Sequence, residues 1–181
     1  PETCPGRART MCEMIETDRL TLRRITLADA PRITECITDP RIHRMVASIA
    51  PNQSVERTRE WIATHKAGAD RDTNHIFALQ KGEDLVGVIG ADRPGAGLAF
   101  DIGYWLIPAE WGAGLMTEAA SAVQEWLMGR GERAFTSGHF ADNPASGQVL
   151  KKIGFLPSGR GRVFSLGRGE ASDHINMSFI A

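Results

Sequence analysis

The chain is poor in several residue types that would announce a function directly. It has one tyrosine, three cysteines and five histidines in 181 residues. No apolar run approaches the roughly 18 residues that span a bilayer, so no membrane-crossing helix is expected. Cys4, Cys12 and Cys36 are odd in number, widely spaced and without a CxxC pair, which argues against a disulfide framework or a zinc site. Three reduced thiols in a cytoplasmic protein are the expectation. The histidines are scattered, with no HxxxH or HxH pair, so no metal is expected. A large charge excess is also missing. The net charge of -1 argues against a broad basic footprint for nucleic acid or an anionic membrane. Residues 1–13 are polar and mixed, without the apolar stretch of a signal peptide, and are read as a mobile tail or expression remnant outside the fold.

What is present is the composition of an ordinary globular protein, 42% hydrophobic and 24% charged. The length fits one domain, taken as residues 14–181. Leu20 to Arg24 alternates as a strand. Thr26 and Asp29 form a variant capping box for a helix that stops at Asp39-Pro40. Ser54 caps a second helix, from Val55 to about Ala67, with Gly68 as its stop. Strands are expected at 75–80, 85–91 and 98–106, joined by turns at Lys81-Gly82-Glu83-Asp84 and Pro94-Gly95-Ala96-Gly97. A helix over 117–128 shows Ala119, Ala120, Val123 and Leu127 on one face. A strand over 134–140, a short helix capped by Asn143 with Pro144 in its first turn, and strands at 162–166 and 174–180 complete the chain. The pattern is α/β, with a mixed and mostly antiparallel sheet of about seven strands.

The segment Trp111-Gly-Ala-Gly-Leu-Met-Thr117 joins a strand to a helix. A helix start presents unpaired N–H groups and the positive end of the dipole, which suits an anion. Gly112 and Gly114 let the backbone come close to a phosphate, and Thr117 adds a hydroxyl. No lysine stands where a P-loop needs it, and the third glycine of a dinucleotide fingerprint is absent. By itself Gly-x-Gly before a helix is equally a tight turn with no ligand.

Longer motifs surround it. The stretch resembles the acetyl-CoA signature of the GNAT (Gcn5-related N-acetyltransferase) superfamily, in its Rim-type branch of ribosomal-protein N-terminal acetyltransferases. Thr17-Asp-Arg-Leu-Thr-Leu-Arg23 is similar to the opening of that branch, and Gly103-Tyr-Trp105 to its Gly-Tyr-Trp strand. Trp111-Gly-Ala-Gly-Leu-Met-Thr-Glu-Ala119 departs from the branch pattern at Met116, where a small residue is usual. Asn143-Pro-Ala-Ser146 and Leu150-Lys-Lys-Ile-Gly-Phe155 follow in order. The resemblance covers about residues 16–180.

The resemblance implies a single GNAT-like domain with helices on both sheet faces and a splayed central strand pair. It implies acetyl-CoA as co-substrate, with the pantetheine arm against backbone near Leu106 and Ile107. The pyrophosphate would sit on the loop formed by Trp111, Gly112, Ala113, Gly114, Leu115, Met116 and Thr117. Asn143 would contact the cofactor arm, and Lys152 or its neighbour Lys151 the 3′-phosphate, a solvated helix end being the alternative. Ser146 is the candidate acid for the departing thiolate. Asp101, standing where the family often has glutamate, is the candidate base, with His139 as a second choice. The acceptor is an amine, of a protein N-terminus or a small molecule, attacked directly in a ternary complex. An α-amine is neutral in about one molecule in ten at pH 7 and a lysine in about one in two thousand, so an α-amine asks less of a base. A homodimer is common in the superfamily, though no stripe of the sequence demonstrates one. A non-catalytic acyl-CoA-binding regulatory module is the alternative to an enzyme.

Overall fold

The computed structural model describes residues 14–181, and the expected tail lies outside them. The strands are β1 (Met14–Glu16), β2 (Thr21–Arg24), β3 (Asn74–Lys81), β4 (Asp84–Asp92), β5 (Phe100–Leu106), β6 (Ala134–Phe140), β7 (Leu156–Ser165) and β8 (Glu170–Ile180). The helices are α1 (Ala30–Ile37), α2 (Pro40–His43), α3 (Val55–Asp70), α4 (Leu115–Gly129) and α5 (Pro144–Lys152). One eight-stranded sheet has the order β1-β2-β3-β4-β5-β6-β8-β7. Every neighbouring pair is antiparallel except β5 and β6. Among the described residues no helix is long and apolar enough to cross a membrane.

Both faces of the central strands are covered, which is why β3 and β4 read as nearly continuous apolar runs. Side chains alternate between faces along a strand. On β3, Ile76 and Ala78 meet Ile33, Ile37 and Ile62 of α1 and α3. Phe77 and Leu79 meet Ala119, Ala120, Val123 and Leu127 of α4. Burying a leucine or phenylalanine side chain contributes about 1.5–3 kcal/mol, so the apolar stripe of α4 is enough to seat it. The expected arrangement of helices on both faces is what the chain adopts.

The differences from the expected elements are local. There are eight strands, because Met14–Glu16 pairs with β2; three residues are too few to show alternation. β7 starts at Leu156, not at 162, and β8 at Glu170, not at 174. The sequence 156–161 carries proline and glycine and lies exposed, so pairing with β8 decides its conformation against weak local propensity. Thr26 N–H donates to Asp29 Oδ2 at 2.7 Å, but the turn it closes is 3-10, and α1 begins at Ala30. Asp39 both ends that region and caps α2, accepting from Arg41 N–H at 2.9 Å. The helix after the glycine loop starts at Leu115, two residues before the expected Thr117.

Gly68 does not stop α3, which runs on to Asp70. Its glycine identity has another cause: a Cβ there would lie 2.5 Å from Asn74 Cβ at the start of β3. Gly68→Ala is therefore expected to cost about 1–3 kcal/mol of stability through overpacking. Gly161→Ala, where a Cβ meets open space, is expected to leave the thermal unfolding midpoint nearly unchanged.

Candidate active site

The site begins with a failure of pairing. β5 and β6 share only the register pairs Phe100↔Phe135 and Asp101↔Thr136, and then diverge. Ile107 N–H donates to Val86 O at 2.9 Å, which fixes the phase of the β5–β4 ladder. By the alternation of that ladder, the backbone groups of Ile102, Tyr104 and Leu106 face β6. Ser137 Oγ donates to Ile102 O at 2.6 Å, and Trp111 Nε1 donates to Leu106 O at 2.7 Å. The N–H and C=O of Tyr104 and the N–H of Leu106 thus turn into the gap. Ile107 does not: its N–H is on Val86 and its carbonyl accepts from Glu110 N–H at 3.0 Å. The Ile107 groups are thus committed within the fold, while those of Tyr104 and the N–H of Leu106 stay open toward the gap.

The glycine loop lies beyond the gap. Gly112 and Gly114 adopt φ of 76° and 78°, in the left-handed region that other residues occupy only at a cost. Gly114 is the N-cap of α4 and supplies no side-chain cap. The first internal bond runs from Glu118 N–H to Gly114 O at 3.1 Å, so the N–H groups of Leu115, Met116 and Thr117 precede it and are offered at the positive helix end. Met116 is only 7% exposed and joins the core, so its bulk packs under the helix while its backbone stays at the helix start. Ala113 is not among the residues that line the cleft; its carbonyl accepts from Arg19 Nη1 at 2.8 Å.

Arg19 ties this loop to the first motif. Its N–H and Nε donate to Glu118 Oε1 and Oε2 at 2.9 and 2.7 Å. Thr17 Oγ1 donates to Glu118 Oε1 at 2.6 Å. Burial pushes the Glu118 carboxyl up, but the bonds from Thr17 and Arg19 outweigh it and hold it below the usual range.

α5 approaches from the same side of the sheet as α4. Asn143 Oδ1 caps it, accepting from Ser146 N–H at 3.3 Å. Tyr104 Oη lies 3.1 Å from both the carbonyl and the Oγ of Ser146. Burial pushes the Tyr104 hydroxyl up to about 12, partly offset by its bond to Ser146. A cleft of about 1020 Å³ connects these parts, lined among others by Tyr104, Trp111, Gly114, Asn143, Ser146 and Lys152.

Residues 19–156 match the profile of the acetyltransferase (GNAT) domain. The chain belongs to the GNAT acetyltransferases. An uncharacterized N-acetyltransferase of Bacillus subtilis, YoaA, is 29% identical over 171 residues, covering 90% of this chain and 94% of that one. The ribosomal-protein-serine acetyltransferase of Escherichia coli is 32% identical over 109 residues, covering 59% of this chain and 61% of its own. Among solved structures, RimL, the ribosomal L7/L12 α-N-protein acetyltransferase in complex with coenzyme A, superposes with a TM-score of 0.81 at 22% identity, over 93% of this chain and 98% of that one. RimJ of Mycobacterium smegmatis superposes with a TM-score of 0.82 at 17% identity, over 94% and 88%.

Acetyl-CoA is the acetyl donor of this GNAT enzyme, and the geometry fits it. The open N–H groups at the start of α4 suit a pyrophosphate, and the unpaired backbone of Tyr104 and Leu106 suits an amide-bearing arm. Lys152 borders the cleft, whereas Lys151 borders a separate cavity of about 480 Å³ beside α5. Asp101 is exposed, and its Oδ1 accepts from Thr136 Oγ1 at 2.8 Å. It pairs across the ladder with Asp92. Being three residues from Tyr104 on one strand, Asp101 projects from the opposite sheet face. His139 is buried, with Nδ1 2.8 Å from Phe140 O, and its ring presses on α5 at Gly147, where a Cβ would fall 2.5 Å from Nε2. His75 is outside the cleft, held by Asp72 and Arg24. Arg19, Glu118 and the hydroxyl of Tyr104 are the parts that sequence reasoning did not place. The first two lay inside the matched motifs, where only a long-range contact gives them a purpose.

Arg19→Ala removes the guanidinium bonds to Ala113 O and Glu118 and should loosen the donor loop without touching the acyl end. Steady-state kinetics are expected to show the KM for acetyl-CoA raised about tenfold with kcat within about twofold.

Proposed function

We propose that this GNAT enzyme acetylates the α-amine of protein N-termini by direct attack in a ternary complex, in the cytoplasm. The observation that carries the reading is that the gap between β5 and β6 opens to both sheet faces. Tyr104, Ser146 and the start of α4 stand on one face, and Asp101 and Asp92 on the other. An amine arriving on the carboxylate face meets the acyl group through the opening. The relatives named for ribosomal-protein acetylation support a protein acceptor. The buried unpaired thiol of Cys36 suits a reducing compartment.

Acetyl-CoA supplies an activated acyl group on a thiolate leaving group. The chain's residues supply position and protons. Backbone N–H groups from Leu115 to Thr117 hold the phosphates, and those of Tyr104 and Leu106 hold the arm. Asp101 takes the amine proton, directly or through water, and Thr136 fixes its carboxylate. The N–C bond forms as the C–S bond breaks; Ser146 Oγ passes a proton to the sulfur and takes one back from water, while the amine proton held by Asp101 is released to solvent. Tyr104 orients the Ser146 hydroxyl.

The test is mass spectrometry of acetyl-CoA reactions with two peptides, one with a free N-terminus and no lysine, the other N-terminally blocked with an internal lysine. Acetylation of the first is expected, and modification of the lysine peptide alone would overturn the reading. With the first peptide, kcat/KM is expected to rise from pH 6 to about 9 as the α-amine loses its proton. No falling limb is expected below about pH 10, because the Tyr104 hydroxyl, pushed up to about 12, stays protonated there. A fall near pH 8 would overturn the reading of Tyr104 as a protonated hydroxyl that orients Ser146. Ser146→Ala is expected to lower kcat about a hundredfold; full turnover with normal folding would dismiss Ser146 as the acid.

A further inference from the structure

The wall of the cleft opposite α4 and α5 is built from chain that has little structure of its own. Met45, Val46, Ala47 and Ser48 line it, and residues 45–48 are turns and bends outside any helix or strand. Internal support is thin: Met45 N–H donates to Ile42 O at 2.9 Å, and Ile49 N–H to Val46 O at 3.5 Å. The rest of the hold comes from the far end of the chain, the tip of the β7–β8 hairpin.

Three contacts make that hold. Leu166 N–H donates to Ala47 O at 2.9 Å. Gly167 lies so close that a Cβ would stand 2.0 Å from His43 O. Arg168 does the most. Its Nε donates to Arg44 O at 2.7 Å and its Nη2 reaches Met45 Sδ at 3.4 Å. The same guanidinium donates in bidentate fashion to Asp142, Nη1 to Oδ2 at 2.9 Å and Nη2 to Oδ1 at 2.8 Å. It also lies 4.4 Å from the centroid of the Phe140 ring. The Arg168 side chain is only 7% exposed.

Asp142 immediately precedes Asn143, the cap that orients Ser146. Arg168 therefore spans from the 44–48 wall to the loop that carries the reacting end of α5. We propose that Arg168 is a positioning residue that latches the acceptor wall to the Asp142–Ser146 segment and so fixes the width of the acceptor entrance. The proposal rests on the reading of the carboxylate face as the acceptor side. A planar, five-donor guanidinium makes the bidentate pair and the carbonyl bond at once from separate nitrogens, a fork that an ammonium's single nitrogen lacks. The bond from Arg168 holds the exposed Asp142 carboxyl below the usual range, as expected of an ion pair kept in place.

The experiment compares wild type, Arg168→Ala, Arg168→Lys and Asp142→Asn on the free N-terminal peptide, varying peptide and acetyl-CoA separately. Activity of the wild type is read first, so failure of the acceptor reading registers as absent peptide turnover, whereas failure of the latch registers only in the variants. Arg168→Ala is expected to raise the peptide KM about tenfold with the acetyl-CoA KM within about twofold. Arg168→Lys should recover only part of the loss. Asp142→Asn keeps the guanidinium on Arg44 O and should give the same asymmetry at about threefold. It decides the matter if Arg168→Ala does not fold. A peptide KM unmoved in the folded variants, or one rising in step with that for acetyl-CoA, would overturn the latch.

Discussion

The structure turns on how little β5 and β6 share. Two register pairs hold them together, and beyond these the strands part in the middle of an otherwise continuous sheet. An interior opening of this kind strands backbone donors and acceptors that would be expensive to leave dry. Its persistence needs outside support: α4 and α5 on one face, α1 and α3 on the other, and side-chain bonds from Ser137 and Trp111 that satisfy two of the exposed carbonyls. The rest of the fold can be seen as scaffolding for that opening. Packing keeps the strands apart, and the unpaired groups left over become the means of holding an extended amide-containing arm.

This arrangement also divides the labour between faces. Period-2 alternation on β5 sends Tyr104 toward Ser146 and Asp101 the other way. Under the proposed function, one strand would serve two reactants, with the opening letting them meet without either crossing the core.

Much of this was legible in the sequence. The apolar stripe of α4, the turns that bound β3, β4 and β5, the Asn143 cap and the glycines of the donor loop are all local patterns, and local patterns survive in a linear string. Less legible were features set by contacts distant in sequence. β7 runs through Leu156-Pro-Ser-Gly because β8 is beside it. Gly68 is small because Asn74 packs on it, which looks in the sequence like a helix stop. Ile107 seemed available to the cofactor arm, but ladder phase, which no single strand reveals, commits its N–H to Val86. Nothing local marks the hydroxyl of Tyr104; only the register of β5 against α5 puts it on Ser146.

The tie between Arg19 and Glu118 joins positions 99 residues apart. Contacts of such separation carry a closure entropy that local contacts do not. The donor loop is thus organised by the turn between β1 and β2 at the edge of the sheet, a region where local opening is ordinarily easiest. Fraying there costs the enzyme its grip on acetyl-CoA before it costs the fold its core. By linkage, a bound donor must tighten that edge in return.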